Sequence, residues 1–260
     1  MTAILRAESR ALSRGTLVLA GAFALLAVFL ISVFPAMAAE AEAIETAFPE
    51  YIGGLFGLEA LDTMEGFIGS YAFPFIWVVF VGVYFGYLGG GMIAGDVRDR
   101  RMDLLLAGPV SRESVILQKI GALWVPVVGL HVAVFVVLVA GAAVIDESLD
   151  HGLLIAAHLF SIPYLLVCAG IGLLLSVVLN RQEHAQAGAL GIVFLLWLLD
   201  GLSAYNPDLE WVSELTPSHY YDPVAILVHE EIPFTEAGIL LAAFVVLVLI
   251  ATALFVREDL

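Results

Sequence analysis

Two histidines, His131 and His158, are the only ionisable side chains that lie deep inside apolar stretches of this 260-residue chain. In that setting a histidine is either a neutral ring hydrogen-bonded to a neighbouring helix or a relay or ligand, and the residues alone leave both readings open. No Asp, Glu, Lys or Arg sits well inside those stretches, where each would cost about 2.5–3.5 kcal/mol. A carrier driven by protons usually needs such a group to titrate, so the energy must come from elsewhere. No G-x-x-x-x-G-K-[ST] phosphate loop occurs, and Gly89-Gly90-Gly91 runs on into Met92-Ile93 instead of Lys-Ser. There is no H-E-x-x-H pair, no nucleophile placed with a base, and no metal-ligand spacing among His219, Asp222, His229 and Glu230. A single Cys168 makes neither an internal disulfide nor a thiolate cluster. No catalytic, cofactor-binding or metal-binding residue is assigned, and the chain is not expected to be an enzyme.

The elements that must carry these residues follow from composition. With 62% hydrophobic and 14% charged residues, the chain is far more apolar than soluble domains, which run near half and a quarter. That excludes an ordinary soluble enzyme and a disordered chain. A net charge of -16 repels polyanions, so nucleic acid is excluded as a partner. Six uncharged intervals are long enough to be examined as bilayer crossings, and they predict an all-α integral membrane protein with spans at about 16–38, 71–95, 120–145, 152–180, 185–202 and 237–256. The fifth uncharged interval, His184 to Leu199, holds only 16 residues. At about 24 Å it must thin the bilayer or let Asp200 reach the interface.

Orientation comes from the bases, because cytoplasmic loops gather Lys and Arg. With six crossings and both termini inside, all 10 bases, Arg6, Arg10, Arg14, Arg98, Arg100, Arg101, Arg112, Lys119, Arg181 and Arg257, fall in the cytoplasm. The outer loops then carry eighteen acids and no base, a surface suited to a halophile, in which molar salt screens within about 3 Å. The first span, longer than a signal-peptide core, is expected to stay uncleaved despite Ala36-Met37-Ala38.

Residues 1–14 space three arginines four apart beside Ile4, Leu5 and Leu12, the pattern of an interfacial helix that meets anionic membrane lipid. The cytoplasmic connection 96–119 reads as helix, break, helix. Asp96 to Ala107 forms the first helix, Gly108-Pro109 stop it, and Ser111 caps the next with Glu113 in its first turn. Met102, Leu104, Leu105 and Leu106 are too apolar for a solvated turn, and with Arg98, Arg101 and Asp103 around them they have the composition of a docking surface or of a helix lying on the membrane. In the second span Gly82, Gly86 and Gly90 recur every four residues, which suits either tight helix packing or a dimer seam. Pro126 and Pro163 are hinge candidates. Outside, Phe48, Tyr51, Ile52, Leu55, Phe56, Leu58 and Phe67, and later Trp211, Tyr220 and Tyr221, alternate with acids in segments expected to fold on the membrane surface.

In order and topology these motifs resemble the permease subunits of type-2 ABC (ABC-2) exporters. The family signature is roughly Gly-Thr-Leu-Glu-Leu-Leu-Leu, two residues, Pro-hydrophobe-Ser-Arg, then a Lys about seven residues on. Here it reads Arg100-Arg101-Met102-Asp103-Leu104-Leu105-Leu106-Ala107-Gly108-Pro109-Val110-Ser111-Arg112, with Lys119 following and Arg100-Arg101 in place of Gly-Thr. The stretch Arg6 to Arg14, Leu215-Thr216-Pro217-Ser218-His219-Tyr220-Tyr221 and the closing Arg257-Glu258-Asp259-Leu260 extend the resemblance over the whole chain. It implies one permease domain in the plasma membrane, with residues 97–107 as a coupling helix seated on a separate ATPase subunit. It also implies a second permease subunit, identical or not, with spans two and five near the seam. Permeases of nitrous-oxide-reductase maturation are among the similar chains. Copper is not carried over, because the methionines and Cys168 make no soft-ligand cluster. The alternatives from other classes are an ATP-independent membrane scaffold or assembly factor and an intramembrane enzyme.

Overall fold

The computed structural model describes residues 3–47, 60–179, 181–203, 208 and 210–257. Among them no strand forms, as expected in hydrocarbon, where a helix satisfies every backbone polar group within its own segment. The elements are α1 (Ala3–Ala39), α2 (Ala41–Ala47), α3 (Met64–Phe67), a π-helical stretch (Ile68–Val81), α4 (Gly82–Gly91), α5 (Ala94–Arg98), α6 (Arg101–Leu106), α7 (Arg112–Gly121), α8 (Trp124–Val144), α9 (His151–Val178), α10 (Gln182–Ser203), α11 (Glu210–Ser213), a 3-10 turn (Pro217–Tyr220), α12 (Pro223–Leu227) and α13 (Phe234–Arg257). Six stretches are long and apolar enough to cross a membrane: Ala3–Ala39, Met64–Gly91, Arg112–Val144, His151–Val178, Gln182–Ser203 and Phe234–Arg257. This is the predicted architecture.

Three boundaries differ from the sequence reading, each for a physical reason. Residues 3–14 do not form a helix of their own, because α1 runs unbroken for 37 residues, about 55 Å at the standard rise. That exceeds a ~30 Å hydrocarbon core, so its first turns project beyond it. Arg6, Arg10 and Arg14 stay exposed there, whereas Ile4 is buried against protein. The fifth crossing is a helix of 22 residues, Gln182–Ser203, about 33 Å long, which includes Glu183 in its first turn and Asp200 in its last, so the uncharged length between them stays at 16 residues. The second begins at Met64 and passes through 14 residues of π-helix containing Pro74, a wider winding that is rare beyond a single turn.

Spans two and four form the centre, with 72% and 67% of the residues in their most apolar 18-residue stretches buried, while in the other four that share is at most 28% and large apolar side chains face outward. Glycine makes that centre possible. A Cβ on Gly89 would collide with the carbonyl oxygen of Ala169 on α9, and one on Gly172 with that of Gly86 on α4, so two backbones meet where no side chain fits. At the end opposite the N-terminus, Asp222 caps α12 by accepting from the Val224 and Ala225 amides at 2.8 and 3.1 Å, and Pro223 occupies its first turn. Buried Tyr221 beside it donates to the Ala157 carbonyl at 2.8 Å, while Trp211 is exposed. Phe67 is buried against Phe34. Phe48, Tyr51, Ile52, Leu55, Phe56 and Leu58, together with Glu258, Asp259 and Leu260, lie outside the described residues.

Candidate functional site

The 96–119 segment is where the chain departs most from plain membrane helix. Its first half was expected as one helix and is two. Arg100 takes the left-handed conformation, φ 55° and ψ 24°, and separates α5 from α6. The turn is held by charge: Asp99 accepts from Arg98 Nε at 2.9 Å and from Arg101 Nη2 at 2.6 Å, so one carboxylate grips guanidinium groups on both sides of the reversal. The hydrogen bonds from Arg98 first, and from Arg101 second, hold the Asp99 carboxyl below its ordinary range and push both guanidinium groups up. The left-handed backbone costs a non-glycine residue roughly 1–2 kcal/mol, and Arg100 stands where the resembling family carries glycine. The break at Gly108-Pro109 and the Ser111 cap fall where expected, with Ser111 Oγ accepting from the Ser114 amide at 3.3 Å.

The reversal tips α6 so that its apolar residues divide. Met102 is buried in a cluster with Ile4, Ile93, Val115, Ile116 and Phe255, and Leu105 and Leu106 lean half-buried against the same cluster. Leu104 is 76% exposed, flanked by exposed Asp103 and Arg101, and Arg98 lies half-exposed at the end of α5. Of the apolar residues picked out in this loop, Leu104 alone faces fully outward. The others fix α6 to its platform.

Beneath the loop lies a constellation that the sequence did not reveal. Lys119 on α7 has a side chain only 3% exposed and pairs at 2.6 Å with both Asp96 on α5, 5% exposed, and Glu8 on α1, 26% exposed. Arg101 Nε adds a contact to Asp96 at 3.5 Å, and Arg98 reaches Glu183 at the start of α10, also at 3.5 Å. A cavity of about 280 Å³ opens beside the triad, with Leu12, Gln182 and Gln186 among its walls. The helix that bears Lys119 is bound at both ends as well. The Leu5 amide donates to Gln118 Oε1 at 3.3 Å, Arg112 donates to the Phe255 carbonyl at 2.6 Å and stacks over that ring at 5.4 Å, and Trp124 at the start of the following α8 donates from Nε1 to Ser9 Oγ at 3.1 Å. The one available signal was that Lys119 is the only lysine in a chain that otherwise uses arginine.

The second-span glycines are used within the chain. A Cβ on Gly82 would come within 2.6 Å of the Tyr164 hydroxyl, on Gly86 within 3.1 Å of Val193, and on Gly90 within 2.9 Å of Gln186 Cα. They are the close-packing face of α4 against α9 and α10.

His131 and His158 do come together, with ring centroids 5.6 Å apart, beside Trp77 and Ser161. His131 Nδ1 lies 2.6 Å from the Val127 carbonyl and its Nε2 3.0 Å from the His158 carbonyl, while His158 Nδ1 lies 2.9 Å from the Leu154 carbonyl. Trp77 donates to Ser161 Oγ at 2.7 Å, and that hydroxyl lies 3.1 Å from His131 Nε2 and 2.7 Å from the His158 carbonyl. Both rings are hydrogen-bonded, neutral as burial in hydrocarbon favours, and line a cavity of about 260 Å³ with apolar residues of spans three and four. Among the described residues no group of three or more His, Cys, Asp or Glu could hold a metal ion.

Residues 2–260 match the family model described as ABC-2 family transporter protein. The chain belongs to the ABC-2 transporter family. It is therefore a multi-pass transmembrane component of an ABC transporter, and ABC-2 chains normally work with an ATP-binding subunit. No curated protein matches this ABC-2 chain.

Proposed function

We propose that this chain is a single permease domain of an ABC exporter in the plasma membrane, both termini cytoplasmic, paired with a second permease and driven by a separate ATPase docked on the 96–119 segment. The observation that carries the reading is Leu104. A large apolar side chain 76% exposed on a six-residue helix, beside Arg101 and Asp103 and mounted on a buried platform, has the make-up of a docking contact. The groups that move phosphate are expected in the ATPase, as the missing phosphate loop requires. In this reading α6 is the coupling helix: Arg98, Arg101, Asp103 and Leu104 supply contacts, while Met102, Leu105 and Leu106 act from below by fixing its pose. Span two is central to its own chain, with 72% of its most apolar 18-residue stretch buried, so the seam between permeases draws on the more exposed span five.

Affinity capture of the tagged chain from its native membrane in high salt, followed by mass spectrometry, tests the proposal. It predicts recovery of a phosphate-loop ATPase; recovery of the chain alone from a stable detergent complex favours the ATP-independent scaffold. Orientation is checked separately. Asp150→Cys should label from outside, and Glu183→Cys only after permeabilisation; the reverse pattern overturns the topology.

A further inference from the structure

Resting on the coupling reading above, we infer that Lys119 is the positioning residue that makes the coupling segment and the N-terminal helix move as one body. Three elements distant in the chain meet on one ammonium group. Asp96 belongs to the segment that carries α6, Glu8 to α1, and Lys119 itself to the helix that continues into span three, with both contacts at 2.6 Å. The grip reaches α6 directly through Arg101, which contacts Asp96 at 3.5 Å.

Stability alone does not explain such an arrangement. Removing charges from water is costly, and well-packed apolar residues of similar volume often serve equally well or better in their place. What the triad adds is directionality. An apolar contact slides with little penalty, whereas an ammonium held between two carboxylates at 2.6 Å loses a charge-assisted bond as soon as either partner moves away. The Met102 cluster beside it, of Ile4, Ile93, Val115, Ile116 and Phe255, supplies cohesion without that constraint. Displacement of α6 is therefore passed to the first turns of α1 through Lys119. Those turns project beyond the hydrocarbon on a continuous 37-residue helix, so their motion reaches span one without a break.

The test is a spin-label distance between Ala7→Cys and Ala107→Cys, both at exposed positions, measured nucleotide-free and after trapping with ATP and vanadate in the captured complex. In the otherwise native chain the distance distribution should be narrow and the same in both states. In the apolar variant Glu8→Met/Asp96→Leu/Lys119→Met it should shift or broaden by several ångströms on trapping, with a melting temperature no lower than that of the native chain. Glu8→Gln, which opens only the α1 arm at a partly exposed residue, gives the same shift in smaller measure and covers failure of the triple variant to fold. A distance that changes with nucleotide in the native chain overturns the inference, as does one that stays fixed in both variants. If no ATPase is captured, the coupling reading fails on its own, and the clamp is still judged by comparing nucleotide-free distributions of the native chain and Glu8→Gln.

Discussion

Two buried polar clusters divide this membrane protein. Near the N-terminal end, Glu8, Asp96 and Lys119 are full charges joining α1, α5 and α7, far apart in sequence and lying against a loop. Within the core, Trp77, Ser161, His131 and His158 are neutral groups joining spans two, three and four. The core cluster is the less costly way to satisfy polar atoms in hydrocarbon, because it carries hydrogen bonds without formal charge. The charged cluster is affordable only at the boundary, and it occurs where the chain attaches the 96–119 segment. Charge is used here to connect, and neutral hydrogen bonding to pack.

That contrast is sharpest under single substitutions. Lys119→Met should leave two carboxylates facing each other with only the 3.5 Å Arg101 contact to Asp96 remaining, costing about 3–5 kcal/mol, read as a large drop in detergent melting temperature; a loss under about 1 kcal/mol would mean that the triad is not a unit. Ser161→Ala takes the partner from the Trp77 indole and one of two contacts from His131 Nε2 and should cost about 1–3 kcal/mol by the same melt, with ATPase capture unchanged; lost capture would show that the core cluster also serves coupling. Arg100→Gly relieves the left-handed backbone and should raise stability by roughly 0.5–1 kcal/mol after the entropy of glycine is counted, and a decrease would show that the Arg100 side chain makes a stabilising contact. Leu104→Glu should change stability by no more than about 0.5 kcal/mol, as exposed positions do, yet abolish capture of the ATPase.

Much of this was legible in the residues, and the limit has a physical form. Spans announce themselves through long uncharged runs, and caps such as Ser111 through local spacing, because both depend on near neighbours. The triad depends on pairs 111 and 23 positions apart (Glu8, Asp96 and Lys119), and nothing local reports them. The division of Met102, Leu104, Leu105 and Leu106 failed for a related reason. Four apolar residues on one short helix read as a single face until the turn at Arg100 sets its tilt, and that turn rests on Asp99 bonding to both flanking arginines. The glycines every four residues were legible as either close packing or a dimer seam; only the fold shows that they meet α9 and α10 of the same chain.

The central claim is that an ATPase sits on α6 at Leu104, and site-specific photo-crosslinking addresses it most directly. A photoreactive residue placed at position 104 of the tagged chain in native membranes should yield an adduct containing a phosphate-loop ATPase, while one at exposed position 211, near the opposite end of the bundle, should not. An adduct from 211 and none from 104, or no ATPase adduct from either, would contradict the account.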